Sequence, residues 1–588
     1  MSANAVETDV LVVGGGGGAF RAAIGVREKG GKALLVSKGP LARCGATPMA
    51  GADFTLDGRT LSRMGFPGEP NDSPETFFSD IVHQGFYLNN QRLLDHYVSA
   101  APARLKELID WGIKIRKSEE RAIYTTGIEI IDALHRKAKT VGVDMMGDTM
   151  ILDLVTDDHR VAGALGLDLR TGRFIRFHTP AVVVATGGWH KAFWPNAGMR
   201  DLSGDGIAIA NRAGAEIGNM EFITFCNNIP LSPPMWRGSL AGYILSFLGG
   251  ELTNNRNEAF LNTYDPFVVE KGTRMEWNKG FVSYATAVEV RAGKGSPEGG
   301  VYYSLGPTPW PLLEERAMAY FPGWKYKALD LTDLALKLKN GEKIEVGAVA
   351  EYFDGGIVVN ERFETSVEGL YAAGECTLGP FGANRVCSAI TEMLVQGADA
   401  GWNAASYARE TTPAAPDQHR FRNFEEKAEN PLREKGESPA KMRRAVQVKA
   451  HSHLGPVRNH GELTSFLQLL EKAKKDDLPR LAAKRNRIYN KEWFDALELE
   501  NIVHLLEAAT RSALFRTESR GVHCREDFPF TNNDDWLCET IVACTGGTLG
   551  LSTRPPVMTT LTAPKGVIPY LDMWKKMMEA HSPVGGNH

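Results

Sequence analysis

The chain carries 588 residues, 43% of them hydrophobic and 23% charged, with a formal net charge of −4. That length is too great for one hydrophobic core, so about two to four domains are expected. The composition excludes a disordered or fibrous protein, and the small net charge removes any bulk electrostatic case for nucleic acid.

The N-terminus, Met1 to Asp9, has neither the basic start nor the separate apolar core of a secretory signal, and no later run approaches a membrane span. The first element is the apolar run Thr8 to Val13, which enters five consecutive glycines, Gly14 to Gly18. An Ala-rich helical stretch and a second apolar run, Ala33 to Val36, complete a βαβ unit with a Gly-x-Gly-x-x-Ala turn. Gly14 serves the tight turn, Gly16 the close approach of backbone to a pyrophosphate, and Ala19 the packing of helix on strand. The helix N-terminus turns its unpaired N–H groups toward the phosphates. Ser37 and Lys38 fall where an acid often holds the ribose hydroxyls, which leaves the choice between NAD and FAD open. The small-residue loop Gly39 to Ala52 is suited to lie against a flat ring.

Residues 73 to 112 carry helical spacing, with Ser73-Pro74-Glu75 as a start and Pro102 as a candidate break. Val161 to Gly188 alternates like a hairpin and ends in a buried strand, Ala181 to Ala185, running into Thr186-Gly187-Gly188. Gly204-Asp205-Gly206 heads a helix over 207–213, followed by a strand over 216–225. From Cys226 to Val349 the chain turns aromatic and loop-rich, which reads as a lobe inserted into the first domain. The first domain's style then returns in Gly369 to Glu375 and in Gly382-Ala-Asn-Arg385, ahead of a helix over 390–409. Thr411 to Asp417 is a linker. The stripe Leu463, Phe466, Leu467, Leu470 and the run Ala496 to Leu514 point to a helical C-terminal domain. The fold expected is α/β: a Rossmann-like domain in two parts (1–225 and 350–410), an inserted α+β capping domain (226–349), a helical domain (418–545) and an extension (546–588) without a readable motif.

The seven cysteines are odd in number and form no Cys-x-x-Cys, which argues against iron–sulfur, haem c and zinc-ribbon sites and for a reduced, cytoplasmic protein. No metal site is expected, so electron wiring beyond one cofactor belongs on another chain.

Together, the Gly-rich unit, Ala185-Thr-Gly-Gly188, Gly204-Asp-Gly206, Met220-Glu-Phe222, Gly369 to Glu375, Gly382 to Arg385 and Arg516 to Pro529 resemble the flavoprotein subunit family of succinate dehydrogenase, fumarate reductase and L-aspartate oxidase. The matches spread from residue 8 to about residue 536. The resemblance implies FAD held by the first domain, a capping domain over it, a carboxylate between them, and hydride transfer between flavin and a carbon–carbon bond. It assigns FAD contacts to Gly14, Gly16, Gly17, Gly18, Ala19, Ser37, Lys38, Gly45, Ala46, Thr47, Ala185, Thr186, Gly187, Gly188, Gly204, Asp205, Gly206, Gly374, Glu375, Ala389 and Ile390. Arg385 matches the arginine that holds a substrate carboxylate beside the flavin, a task suited to a planar bidentate guanidinium.

This sequence also departs from the family. The histidine bonded to flavin in the respiratory enzymes is replaced within Cys44-Gly45-Ala46, so FAD is expected without a covalent link. Two substrate-binding histidines align with Cys226 and Glu351, beside Tyr352. The threonine–glutamate pair of the capping domain is absent around Gly242 to Gly250, where Tyr243 and Phe247 stand, and the proton-delivering arginine aligns with Lys279. A dicarboxylate needs two donor clusters, and burying a carboxylate without one is costly. Glu351 would repel a second carboxylate, bind a hydroxyl, or pair with a nearby cation. Cys226 reads either as a small core residue or as part of the pocket, and Lys279 either as a proton donor or as a solvated loop residue. The expected substrate is an unsaturated monocarboxylate bulkier than fumarate. The expected partner is an iron–sulfur or other electron-carrying subunit, with membrane contact only through it. Alternatives are a relative of the adenylylsulfate reductase catalytic chain, an oxidase like L-aspartate oxidase, or an electron-transfer flavoprotein without substrate chemistry. The arginines between 516 and 525, interleaved with acids, are expected to form a buried ion-pair network rather than a binding site.

Overall fold

A computed structural model describes residues 4–50, 53–239, 250–274, 278–320, 322–326, 329–385 and 388–581. Its centre is a five-stranded parallel sheet in the order Leu370–Ala372, Ala181–Val184, Val10–Val13, Ala33–Val36, Asp144–Met146. The middle three strands are buried at every position, as continuous Val and Leu runs require when both faces of a parallel sheet are covered. The helix Gly17–Glu28 lies against the long helix Ala389–Glu410. The two approach so closely that a Cβ on Gly401 would sit 2.1 Å from the Ala22 carbonyl oxygen. The expected hairpin is present as Arg160–Asp168 paired with Arg173–His178, extended by Thr149–Asp157 and by Asn4–Glu7.

The capping lobe is built on a second sheet, Ile223–Pro230, Ile344–Phe353, Val301–Ser304 and Glu251–Thr253, all antiparallel. Helices Pro266–Arg274, Asn278–Glu289, Trp310–Tyr320 and Thr332–Lys339 belong to the same stretch of chain. The boundaries expected at 225/226 and 349/350 each cut through one of two paired strands. The chain therefore leaves and re-enters the first domain as adjacent strands, and the composition shift marks the lobe without marking its joints.

The C-terminal helices Gln418–Glu429, Pro439–His453, His460–Lys472 and Lys491–Phe515 follow the linker. The last residues, unreadable from pattern, return to the rest of the fold. The hairpin Glu539–Thr545 and Thr548–Arg554 pairs with Ile217–Gly218. The helix Tyr570–Ala580 buries Met573 and Trp574, and Trp574 meets Phe86 edge to face at 4.8 Å. Between these parts the arginine-rich segment forms the expected network. Arg516 binds Glu221 at 2.7 Å and Glu518 at 2.9 Å, Arg520 binds Glu518 at 2.8 Å, and Arg525 binds Asp527 at 2.6 Å, with all three guanidinium groups shielded from solvent.

Candidate functional site

The strand Val10–Val13 delivers Gly14 into the turn with φ of +142°, and a Cβ there would stand 2.1 Å from the Ala185 carbonyl oxygen. Only glycine fits. The helix Gly17–Glu28 starts at once behind Gly16, which has no side chain to cap it. Gly17 N–H donates to Thr47 Oγ1 at 3.0 Å, and the positive end of the helix is left for an anion.

This turn opens on a cavity of about 520 Å³. Of the residues assigned above, Gly14, Gly16, Gly17, Gly18, Ser37, Lys38, Gly45, Ala46, Thr47, Ala185, Thr186, Gly187, Gly204, Asp205, Gly206, Gly374, Glu375, Ala389 and Ile390 all line it. Ala19 and Gly188 do not; Ala19 is fully buried beneath the turn, in the packing role its position implies. Two polar atoms on the wall, Glu375 Oε1 and Thr186 Oγ1, are buried without a hydrogen-bond partner among the described residues. Glu375 Oε2 meanwhile accepts from Gly188 N–H at 3.1 Å. A glycine cradle on an open helix N-terminus, with unused acceptors opposite, fits a dinucleotide with its pyrophosphate at the helix and its hydroxyls on the wall.

Several assigned contacts are also engaged within the protein. The Ser37 hydroxyl donates to the Gly39 carbonyl oxygen at 3.0 Å and lies 3.0 Å from Cys44 Sγ. The Lys38 ammonium reaches Asp205 at 2.7 Å, Glu498 at 2.8 Å and Ser203 Oγ at 2.5 Å. Burial alone would lower the Lys38 pKa, but the two carboxylates outweigh it and hold the lysine firmly charged. At the loop expected to carry a flavin link in the respiratory relatives, Gly45 N–H instead donates to Asp201 Oδ2 at 2.6 Å.

At the capping side the same cavity is lined by Lys279, from the first turn of Asn278–Glu289, and by Glu351 and Tyr352, from Ile344–Phe353. Lys279 is 5% exposed, so the solvated-loop alternative is excluded. Its Nζ lies 3.1 Å from Glu351 Oε2 and 5.2 Å from the Tyr352 ring centre. Of the three roles open to Glu351, pairing with a cation is the one present here. His190, which no sequence pattern singled out, also lines the wall and donates from Nε2 to the Glu351 carbonyl oxygen at 2.5 Å.

Arg385 stands one layer back. It is 1% exposed, does not line the cavity, and lies against the rings of Phe381 at 5.0 Å and Tyr352 at 5.7 Å. Its guanidinium pairs with the buried Glu392, and Nη1 points toward the Phe353 carbonyl oxygen at 3.5 Å. Lys279 and Arg385 thus both lie against the Tyr352 ring, whose electron-rich face offsets part of the repulsion between them.

Cys226 is not on the cavity. Its position on Ile223–Pro230 turns it into an apolar cluster with Ala197, Ile229, Leu231 and Val349, which is the core role rather than the pocket role. Tyr243 and Phe247 lie outside the described residues. Residues that pattern alone did not single out include Met49, Asp53, Gln84, Tyr124 and, from the far end of the chain, His581. Met49 falls inside the small-residue loop and Asp53 directly after it, and the other three carry no sequence signal. Among the described residues no group of three or more His, Cys, Asp or Glu is placed to hold a metal ion, and no helix is long and apolar enough to cross a membrane.

Comparison with known proteins matches residues 9–390 to an FAD binding domain and residues 443–568 to the fumarate reductase flavoprotein C-terminal region. A fumarate reductase (CoM/CoB) subunit from Methanothermobacter marburgensis is 30% identical, over 90% of this chain and 96% of that protein. A fumarate reductase flavoprotein subunit from Mycobacterium tuberculosis is 28% identical, over 94% of this chain and 98% of its own. Among solved structures, Mycobacterium smegmatis Sdh1 in complex with UQ1 superposes with a TM-score of 0.83 at 28% identity, covering 95% of this chain and 96% of that one.

Proposed function

This chain belongs to the FAD-binding flavoprotein family of fumarate reductases and succinate dehydrogenases and is an FAD-dependent oxidoreductase, and from that premise we propose that it acts on the carbon–carbon bond of an unsaturated monocarboxylate. FAD, bound in the glycine cradle, supplies the two-electron carrier. The Gly14–Gly18 turn, Glu375, Thr186 and the Gly45–Thr47 loop hold it without a covalent bond.

The observation that carries the substrate reading is the Lys279–Glu351 pair on the cavity wall. A second carboxylate of a dicarboxylate would have to share this end of the cavity with Glu351, and like charges in a low-dielectric pocket repel strongly. One carboxylate is assigned to Arg385, which stands behind the Tyr352 ring rather than on the cavity wall and draws the acid's charge toward it from there. The Tyr352 ring gives the remainder of the substrate an apolar face. Lys279 Nζ delivers a proton to the substrate carbon, and Glu351 Oε2 keeps the ammonium charged and aimed between turnovers. Electrons come from, or leave to, a separate electron-carrying subunit, in keeping with a cysteine pattern that offers no cluster of its own.

The test is anaerobic reduction of the purified holoprotein, followed by mixing with fumarate, crotonate or trans-cinnamate while the flavin absorbance is followed. Crotonate or cinnamate should reoxidise the flavin at least about tenfold faster than fumarate, the discrimination that a single mismatched charge produces. Fumarate as the fastest acid would overturn the reading. Arg385→Ala should lower kcat/KM for the preferred acid by roughly 100-fold or more.

A further inference from the structure

In a regular strand successive side chains point to opposite faces, yet Glu351 and Tyr352, adjacent on Ile344–Phe353, both line the cavity. The register against Ile223–Pro230 gives the reason. Thr224 stands opposite Tyr352 and Phe225 opposite Ala350, so Glu351 is an extra residue with no partner across the ladder. This is a β-bulge, which turns one side chain off the alternation and disrupts the pairing locally. The Glu351 carbonyl oxygen takes its hydrogen bond from outside the sheet: His190 Nε2 donates to it at 2.5 Å.

His190 is itself firmly placed. It opens the short turn His190–Ala192, is 4% exposed, and meets the Phe353 ring edge to face at 4.9 Å. Gly198 lies against the imidazole, and a Cβ there would stand 2.2 Å from His190 Cγ and push the ring aside. The same loop is tied to the strand beside the bulge, where Ala197 N–H donates to the Ala350 carbonyl oxygen at 3.0 Å. A carbonyl oxygen only accepts, so the imidazole proton sits on Nε2. Nδ1 is buried with no partner among the described residues, and Glu375 Oε1, 3.9 Å from Nε2, is beyond hydrogen-bond reach. In the neutral ring the one donor is thus committed to the bulge.

We infer that His190 is a positioning residue for proton delivery: it holds the bulge that aims Glu351 at Lys279. Without that bond the extra residue is free to slip back into the alternation of the strand. A slip of one residue sends a side chain to the other face, and the Glu351 carboxylate would leave the ammonium that now lies 3.1 Å from it. This rests on the reading of Lys279 and Glu351 as the proton-delivering pair and adds the group that keeps the pair aimed.

For the test, the holoprotein is reduced without oxygen and mixed with crotonate or trans-cinnamate in a stopped flow, with rates read per bound FAD. His190→Leu should slow reoxidation by roughly ten- to 100-fold, while the Kd of either acid for the oxidised holoprotein stays within about twofold of native. His190→Gln keeps an N–H donor and should remain within about threefold of the native rate. The coupling between residues is decisive. In a Glu351→Ala background His190→Leu should cost less than about twofold, because no carboxylate remains to be aimed. Gly198→Ala keeps the imidazole but displaces it, so it should reproduce the loss and its dependence on Glu351. That variant tests the idea even if His190→Leu fails to fold. An equal cost of His190→Leu with and without Glu351, a Gln variant as slow as the Leu variant, or a native rate in Gly198→Ala overturns the inference. Glu351→Ala at the native rate sinks instead the reading of the Lys279–Glu351 pair on which it stands.

Discussion

At the scale of single residues, the site turns on Lys279. Its ammonium is buried, held 3.1 Å from Glu351, and set against the cavity rather than in solvent. Removing it should leave FAD and the carboxylate in place while taking away the proton. Lys279→Ala is therefore expected to lower turnover by about 10²- to 10⁴-fold with little change in substrate affinity, whereas Lys279→Arg keeps charge and hydrogen bonding and should retain part of the rate. Stopped-flow reoxidation separates the two effects. Equal loss in affinity and rate would make the lysine a binding group instead. The same scale shows what a local motif cannot convey. Cys226 aligns with a substrate position, yet its strand points it into the core.

At the scale of elements, the helix Lys491–Phe515 binds the helical domain to the cavity. Asn490 caps it by accepting from Trp493 N–H at 3.2 Å, and it is buried along most of its length. It presents Glu498 to Lys38 and Lys191, and Asn501 Nδ2 donates to Asp205 Oδ1 at 2.8 Å. Burial alone would raise the Glu498 pKa, but the two lysines bring it down to about 2. Glu498→Gln leaves two largely buried ammonium groups short of a partner. It should cost about 1.5–3 kcal/mol in thermal or denaturant unfolding and loosen FAD, because Lys38 and Asp205 line the cavity. FAD retention on gel filtration reads the second effect. Elsewhere an element outlasts its own sequence. Pro102 suggests a break, but Gln91–Asp110 runs through it unbroken. The buried face of Leu93, Leu94, Tyr97, Val98, Ala101, Leu105 and Leu108 outweighs the roughly 3 kcal/mol that an interior proline costs.

At the scale of the whole molecule, buried histidines and carboxylates give stability a direction with pH. Burial lowers the pKa of His504 to about 3 and that of His581 to about 4. The unfolded chain protonates both near 6.5, so between pH 6.5 and 4 it binds more protons than the native protein, and stability falls as pH falls. Glu498 and Asp495, each brought down to about 2, lose their contribution lower still, from near pH 4.5 toward 2. Melting temperature should therefore drop steeply below pH 6.5. His504→Gln, which can still donate to Asn211 Oδ1, should flatten that slope by up to about 1.4 kcal/mol per pH unit. A slope unchanged in the variant would place the acid sensitivity in other groups.

The sequence by itself determined what depends on neighbours along the chain. The Gly-rich turn, the helix start at Ser73, the apolar strands, the long helices and the ion-pair composition of 516–527 are all written in short windows. Their physics is local: backbone freedom, periodicity and opposite charges close in sequence. Only the tertiary structure decided the pairing of Lys279 with Glu351, which brings together a helix and a strand 72 positions apart. It alone set Arg385 behind Tyr352 and brought His581 to the cavity wall. Those outcomes rest on burial and on distances between remote segments, and desolvation has no signature in a one-dimensional pattern.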